Sequence, residues 1–212
     1  MIRLTKSEPP QTLVQNAQKW TDELLAEIEQ GGDKVAYRKN KYNQPSIKDA
    51  IKAETARKCA YCESQPLHVT YGDIEHIVPK SVELDRTFDW SNLTLACDIC
   101  NTKKSDKTGL LDPYECEPEE EFAFHGPMIL HHEGRITAEI TRTILDLNRI
   151  DLLNKRVDRL DNIANIFRRI CKHNDANERA LLIKATIDHQ SSNEREFAAC
   201  SRSFLKANNY TI

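Results

Sequence analysis

No stretch of this chain is apolar for the length of a bilayer, so no segment of its sequence is expected to span a membrane. The opening residues, Met1-Ile2-Arg3-Leu4-Thr5-Lys6, lack the apolar run of a secretion signal. That absence points to the cytoplasm, where thiols stay reduced, so Cys-x-x-Cys pairs read as metal ligands rather than disulfides. There is no internal repeat and no low-complexity tract. The chain also lacks the excess of positive charge usual in proteins that hold nucleic acid, since its 212 residues carry a formal −3. The charge is uneven. Residues 1–58 sum to +3, residues 59–110 to −3, residues 111–134 hold seven acids and no Lys or Arg, and residues 135–212 sum to +4.

Cysteines and polar residues between 59 and 104 stand out. Cys59-Ala60-Tyr61-Cys62 and Cys97-Asp98-Ile99-Cys100 bracket Glu75-His76 and Asn92-Leu93. The second pair runs into Asn101, Lys103 and Lys104. Two such turns close one four-thiolate zinc site, with Cys59, Cys62, Cys97 and Cys100 as ligands. A closed site of this kind holds structure and leaves no open position for chemistry. Of the other thiols, Cys171 and Cys200 read as small buried helix residues, and Cys116 is unassigned.

The residues inside the bracket suit phosphodiester hydrolysis. That reaction needs an activated water and a cation near the leaving oxygen. His76 suits the first task because imidazole titrates near neutral pH. Glu75 and the Asn101 amide offer the oxygen ligands that a hard ion such as Mg²⁺ or Mn²⁺ takes. Neighbours on a strand point to opposite sides, so Glu75 and His76 require a bend near Pro79 to share a site. Asn92 is placed to bond backbone and orient the His76 segment. Lys103, Lys104 and Lys107 are candidate phosphate contacts. The bland readings are a surface Glu-His pair, a cap at Asn101, a turn at Asn92 and solvated lysines. His68, His125, His131, His132 and Asp112 are weaker ligand candidates, with His131-His132 read as a solvated turn. The bases of residues 142–172, eight against four acids, offer a nucleic-acid face, a partner interface or a solvated helix face.

The order Cys-x-x-Cys, Glu-His, Asn-Leu, Cys-x-x-Cys-Asn and Lys resembles the HNH, or ββα-metal, endonucleases with a four-cysteine zinc site. The resemblance implies His76 as general base, Glu75 and Asn101 as ligands of the catalytic cation, and Asn92 as the positioning residue. The commoner acid in that family is Asp, and Asp73 is a possible stand-in for Glu75. A narrower resemblance rests on Ile2, Leu4, Lys6 and Pro9, Ile47-Lys48, residues 58–63, Asp73-Ile74-Glu75-His76, Pro79-Lys80-Ser81, Trp90-x-Asn92-Leu93 and Leu147-Asn148-Arg149. These are similar to the HNH nuclease subunit of Septu-type and retron-associated anti-phage defence, where Glu at position 75 is usual. That likeness implies an ATPase partner and, for retrons, a reverse transcriptase with its RNA–DNA product. The rival is a non-catalytic zinc module that binds nucleic acid or protein. The site residues do not separate a DNA substrate from RNA.

The expected fold is α+β and mainly helical. Residues 1–58 form a helical region, with one helix over 11–30 and a second from an N-cap at Ser46, joined by a polar connection at 33–45. Residues 59–110 form the ββα-metal module, with strands over 73–78 and 92–96 and a helix over 100–107. Residues 111–150 form an acidic loop and short-strand connection. Residues 151–212 are helical, with Leu153, Val157, Leu160, Ile163, Phe167 and Ile170 on one stripe, then helices over 180–188 and 194–207.

Overall fold

The computed structural model describes residues 1–66 and 70–210; His68 lies outside them. Helix α1, Gln11–Glu29, buries Leu13, Trp20 and Leu24 at helical spacing. Helix α2, Val35–Lys39, lies within the polar connection expected at 33–45. Helix α3, Pro45–Glu54, begins with proline at its first position, where no N–H is needed, and Gln44 precedes it. Ser46 is therefore inside the first turn and not the cap; its hydroxyl meets Thr12 at 2.8 Å.

Strands β1, Asp73–His76, and β2, Leu93–Ala96, pair antiparallel, with Glu75 opposite Thr94 and His76 opposite Leu93. Helix α4, Asp98–Lys104, follows directly. It stops at Ser105, whose φ of +50° breaks the helical path before Gly109 is reached. Ile74, Leu93 and Leu95 pack with Leu13, Trp20, Leu24, Ile47 and Ile51, so α1 and α3 cover one face of the small sheet.

The acidic stretch folds into a short helix α5, Pro118–Glu121, and a hairpin of β3, Phe122–His125, and β4, Met128–His131. His131 thus sits on a strand rather than in a solvated turn. Helix α6, Ile136–Ile144, occupies part of the expected loop. Its Ile and Thr residues are poor helix formers, and packing of Ala138 and Thr141 against the core supplies what propensity does not. Helices α7, Ile150–Ile170, α8, Ala176–Ser191, and α9, Ala198–Ala207, complete the chain. In α7 the inward residues are Leu152, Arg156, Leu160, Ile163, Phe167 and Ile170, so the stripe enters one position earlier than Leu153 and Val157 predict. Cys200 is buried, whereas Cys171 ends α7 exposed.

The fold is mainly helical with two small sheets. The zinc-type cysteines share a core with Leu111, Phe122, Ile129, Leu145, Leu147, Leu152 and Phe197. The central unit is therefore covered by α1 and α3 on its sheet face and by the C-terminal elements on its cysteine face. The N-terminal segment is locked down by Lys6. Its ammonium pairs with the buried Glu54 carboxylate at 3.0 Å, bonds the Leu93 carbonyl, and lies 4.3 Å and 4.5 Å from the ring centres of Trp90 and Tyr114. No helix among the described residues is long and apolar enough to cross a membrane.

Candidate active site and metal centre

The Sγ atoms of Cys59, Cys62, Cys97 and Cys100 lie within 4.8 Å of one another, and all four residues are buried. Cys62 and Cys97 are 3.8 Å apart, far beyond the roughly 2.05 Å of a disulfide. A zinc tetrathiolate with Zn–S bonds of about 2.3 Å has sulfur–sulfur edges of about 3.8 Å, so the cluster fits the ion. The first Cys-x-x-Cys turn is held by Ala60 N–H donating to Leu95 O at 2.8 Å and Cys59 N–H to Ser64 O at 2.9 Å. The second begins α4. The hairpin β1–β2 therefore ties both halves of the site together.

Five residues around this centre were not singled out as supports by sequence reasoning. Arg149 approaches Cys100 Sγ at 3.9 Å, placing a cation over thiolates that would otherwise carry excess negative charge. Its neighbour Asn148 bonds both polar groups of Ile129, at 2.9 Å and 2.8 Å, and Leu147 enters the core. Those contacts give the Leu147-Asn148-Arg149 run its physical meaning. Glu63, just past the first turn at φ +64°, is buried beside Lys58 at 3.8 Å. Lys58 in turn donates to Asn193 O at 2.5 Å and Arg195 O at 3.0 Å, fastening the turn to the C-terminal helices.

A cleft of about 400 Å³ opens where β1 ends. Glu75, His76 and Asn101 all border it. The chain bends at residues 77–78, between His76 and Pro79, as the shared site of Glu75 and His76 requires. His76 is 4% exposed, and its Nε2 lies 2.9 Å from Thr87 O. A carbonyl only accepts, so Nε2 carries the proton and Nδ1 keeps the lone pair. Burial lowers the His76 pKa to about 4, the Thr87 hydrogen bond opposing this, so the ring is neutral at physiological pH. Tyr42 packs against the ring edge-on at 4.6 Å and fixes its plane.

Glu75 is also buried. Its carboxylate pairs with Lys104 at 2.7 Å, and Lys104 donates further to His76 O at 2.8 Å. Burial pushes the Glu75 carboxyl upward, and the Lys104 charge opposes that shift. Lys104 is 1% exposed and fully engaged, so it does not offer the phosphate contact that its place in a lysine run predicts. Lys103 pairs with Asp146 at 3.2 Å, while Lys107 is exposed. Asn101 donates from Nδ2 to Asp73 at 2.8 Å, which leaves its carbonyl oxygen available. Asp73, two residues before Glu75, shares its face of β1. Two carboxylates and one amide oxygen are a hard donor set that suits Mg²⁺ or Mn²⁺.

Asn92 touches no solvent. Its Oδ1 accepts from Val78 N–H at 2.7 Å, and its Nδ2 donates to Val78 O at 3.0 Å and Arg86 O at 3.2 Å. It thus splints the loop leaving His76 to the segment that carries Thr87. Replacing it with Ala strands these backbone groups in the interior. Asn92→Ala is expected to destabilise the protein by about 2–3 kcal/mol, measured by denaturant unfolding, with a shift below 0.5 kcal/mol contradicting the splint.

Among the described residues the four cysteines are the one group of three or more His, Cys, Asp or Glu side chains close enough to share a metal, so His125, His131 and His132 join none. The basic run of residues 142–172 does not form one solvated face. Arg149 turns toward the thiolates, and the buried Arg156 donates to Leu147 O at 2.9 Å and Pro127 O at 3.0 Å. Arg159 reaches Gln190 O at 3.3 Å.

Hairpin, helix and cysteines all fall within residues 59–107, which match the family model of the HNH endonucleases. The chain is also 28% identical over 158 residues to the Septu protein PtuB of Bacillus thuringiensis, covering 72% of this chain and 57% of that relative. A second Septu protein PtuB, from Bacillus mycoides strain KBAB4, is 25% identical over 150 residues, covering 54% of this chain and 51% of the relative. The chain spans about half the length of the curated relatives it matches. The likeness extends well beyond the HNH domain, since the matched lengths exceed its 59–107 span.

Proposed function

We propose that the protein is a divalent-metal-dependent endonuclease that hydrolyses nucleic-acid phosphodiester bonds within an anti-phage defence system of the Septu type. The observation that carries this reading is the neutral imidazole of His76, with its tautomer fixed by Thr87, bordering the same cleft as the oxygen donors Glu75 and Asn101. A binding module needs none of these residues in that arrangement. His76 Nδ1 takes a proton from the attacking water. Thr87 keeps Nε2 protonated, and Tyr42 holds the ring in place. Glu75 and Asn101 would hold the cation, with Asp73 bonded to Asn101 as the stand-in for Glu75, and Lys104 anchors Glu75. A bound Mg²⁺ or Mn²⁺ would supply stabilisation of charge on the phosphorus and leaving-group oxygens. Asn92 positions the His76 loop from behind and touches no reacting atom. The four cysteines hold a structural zinc.

The test is cleavage of DNA and of RNA, assayed separately with Mg²⁺, with Mn²⁺ and with chelator. Asn101→Ala is expected to lose at least the roughly 10- to 100-fold that follows disturbance of a metal's supporting residues, with partial rescue by excess Mn²⁺. Unchanged activity and metal dependence in that variant would remove Asn101 from the cation site.

The Septu resemblance supports an ATPase partner that supplies affinity and trigger, and a cytoplasmic location. The net charge of −3 agrees, because few phosphates are neutralised by the chain alone. Salt titration of nucleic-acid binding with and without the ATPase tests this. Tight binding and efficient cleavage by the chain alone, unaltered by the ATPase, would remove the regulatory part.

A further inference from the structure

A phosphodiester strand in the cleft needs positive charge beside it, and the HNH domain is poorly supplied, since residues 59–110 sum to −3. Its Lys104 is buried against Glu75, and its Lys103 is paired with Asp146. The missing charge comes from a segment outside the HNH match. Tyr37-Arg38-Lys39-Asn40-Lys41-Tyr42 spans part of α2 and the turn after it, and no acid occurs between Asp33 and Asp49. Two of its three bases are already used. Arg38 pairs with Glu23 at 2.6 Å and Glu27 at 2.8 Å, and Lys41 pairs with Glu23 at 2.5 Å. Those pairs pin α2 to α1.

Lys39 is different. It borders the catalytic cleft, and among the described residues it has no ion-pair or hydrogen-bond partner. Tyr42 borders the cleft too, with its ring edge on His76. Its hydroxyl accepts from Lys80 at 2.8 Å, and Lys80 is likewise without a carboxylate partner. Two ammonium groups without an ion-pair partner among the described residues therefore border the cleft, which Glu75 and Asp106 also line, with Tyr42 linking one of them to the imidazole. A solvated helix face explains a lysine that points away from the protein. It does not explain one that lines the cleft while its two basic neighbours are neutralised.

We propose that Lys39 and Lys80 bind backbone phosphates of the substrate strand, so that α2 completes the substrate surface of the HNH domain and Tyr42 couples that surface to His76. This inference rests on the nuclease reading and adds where the strand lies. Ammonium groups act as point charges on phosphate and read no base, so the contact is independent of sequence.

The experiment uses the full chain carrying His76→Ala, so that nothing is cut, and fluorescein-labelled oligonucleotides of DNA and RNA, single-stranded and duplex. Anisotropy is followed from about 50 to 200 mM salt. Lys39→Glu is expected to weaken binding roughly tenfold at the low-salt end and to flatten the log–log salt slope by about one. Lys39→Ala and Lys80→Ala are expected to show smaller losses in the same direction. Lys184→Glu, on the exposed side of α8, serves as the control and is expected to bind like the parent. In the His76-intact chain, Lys39→Ala is expected to raise KM with little change in kcat. Parental affinity and salt slope in Lys39→Glu, in a protein that does bind and cut, overturn the phosphate contact and leave the nuclease reading standing. A parent that neither binds nor cuts any of the four oligonucleotides, alone or with the ATPase, overturns both.

Discussion

His76→Ala is expected to abolish cleavage while the protein stays folded and keeps its zinc. Removing a general base costs roughly a hundredfold to ten-thousandfold from the proton-transfer contribution alone. The structural cost is smaller, because His76 sits at the end of a strand and its ring makes one hydrogen bond, to Thr87 O. The four thiols lie elsewhere, at the base of the hairpin and the start of α4, so their metal content should not change. Single-turnover cleavage, zinc content and circular dichroism measured on one preparation separate loss of chemistry from loss of fold. Full activity in this variant would sink the nuclease assignment and favour a zinc module that only binds. The pH profile offers an independent check. The base works unprotonated, and burial holds His76 near 4. Cleavage should therefore persist as pH falls through the ordinary histidine range and decline below it, as the Glu75 carboxyl, raised by burial, and then His76 take up protons. A midpoint near 6.5 would place the working base elsewhere.

Cys97→Ser is expected to act on the fold itself. Cys97 caps α4 and belongs to a cluster whose sulfurs lie within 4.8 Å of one another. Apparent zinc-binding free energies in small structural sites are about 10–16 kcal/mol, and this energy enters folding directly because the site does not exist in the unfolded chain. The cysteines here are also core residues, packed with Leu111, Phe122, Ile129, Leu145 and Leu152. Losing the ion therefore loosens the contact between the HNH domain and the C-terminal elements, and it leaves Arg149 beside thiols with no metal. The purified parent should hold one zinc per chain. The variant should hold substantially less and lose its cooperative thermal transition. A variant that keeps the parent's melting temperature without zinc would show that the core alone supports this region.

Lys104 shows why position in a motif does not reveal a side chain's task. In the sequence it is one of three lysines after Asn101, and a run of that kind suggests phosphate contact. In the structure it is sealed, holding the Glu75 carboxylate and the His76 carbonyl. Which side of a seven-residue helix faces the hairpin depends on how α4 leaves the cysteine turn, and local pattern does not encode that. Lys39 shows the converse. Its surroundings read as a polar connection because α2 has no apolar stripe. Glu23 and Glu27, more than ten residues away in sequence, consume the neighbouring charges and single it out.

The clustering of the four cysteines was legible in the sequence, because ligand type and spacing are local and a Cys-x-x-Cys turn admits few geometries. The sequence also determined the order of hairpin and helix within the HNH domain and the buried stripe of α1, since both rest on short-range periodicity. Which cations are spent inside the protein and which face the cleft depends on packing between distant segments. Arg149, Arg156, Lys58, Lys6 and Lys104 all look like surface bases in the sequence, and each is drawn inward by a carboxylate, carbonyl or thiolate from a distant segment. Burying a charge is tolerable only with such a partner, and partners that meet through folding are not written next to each other in the chain.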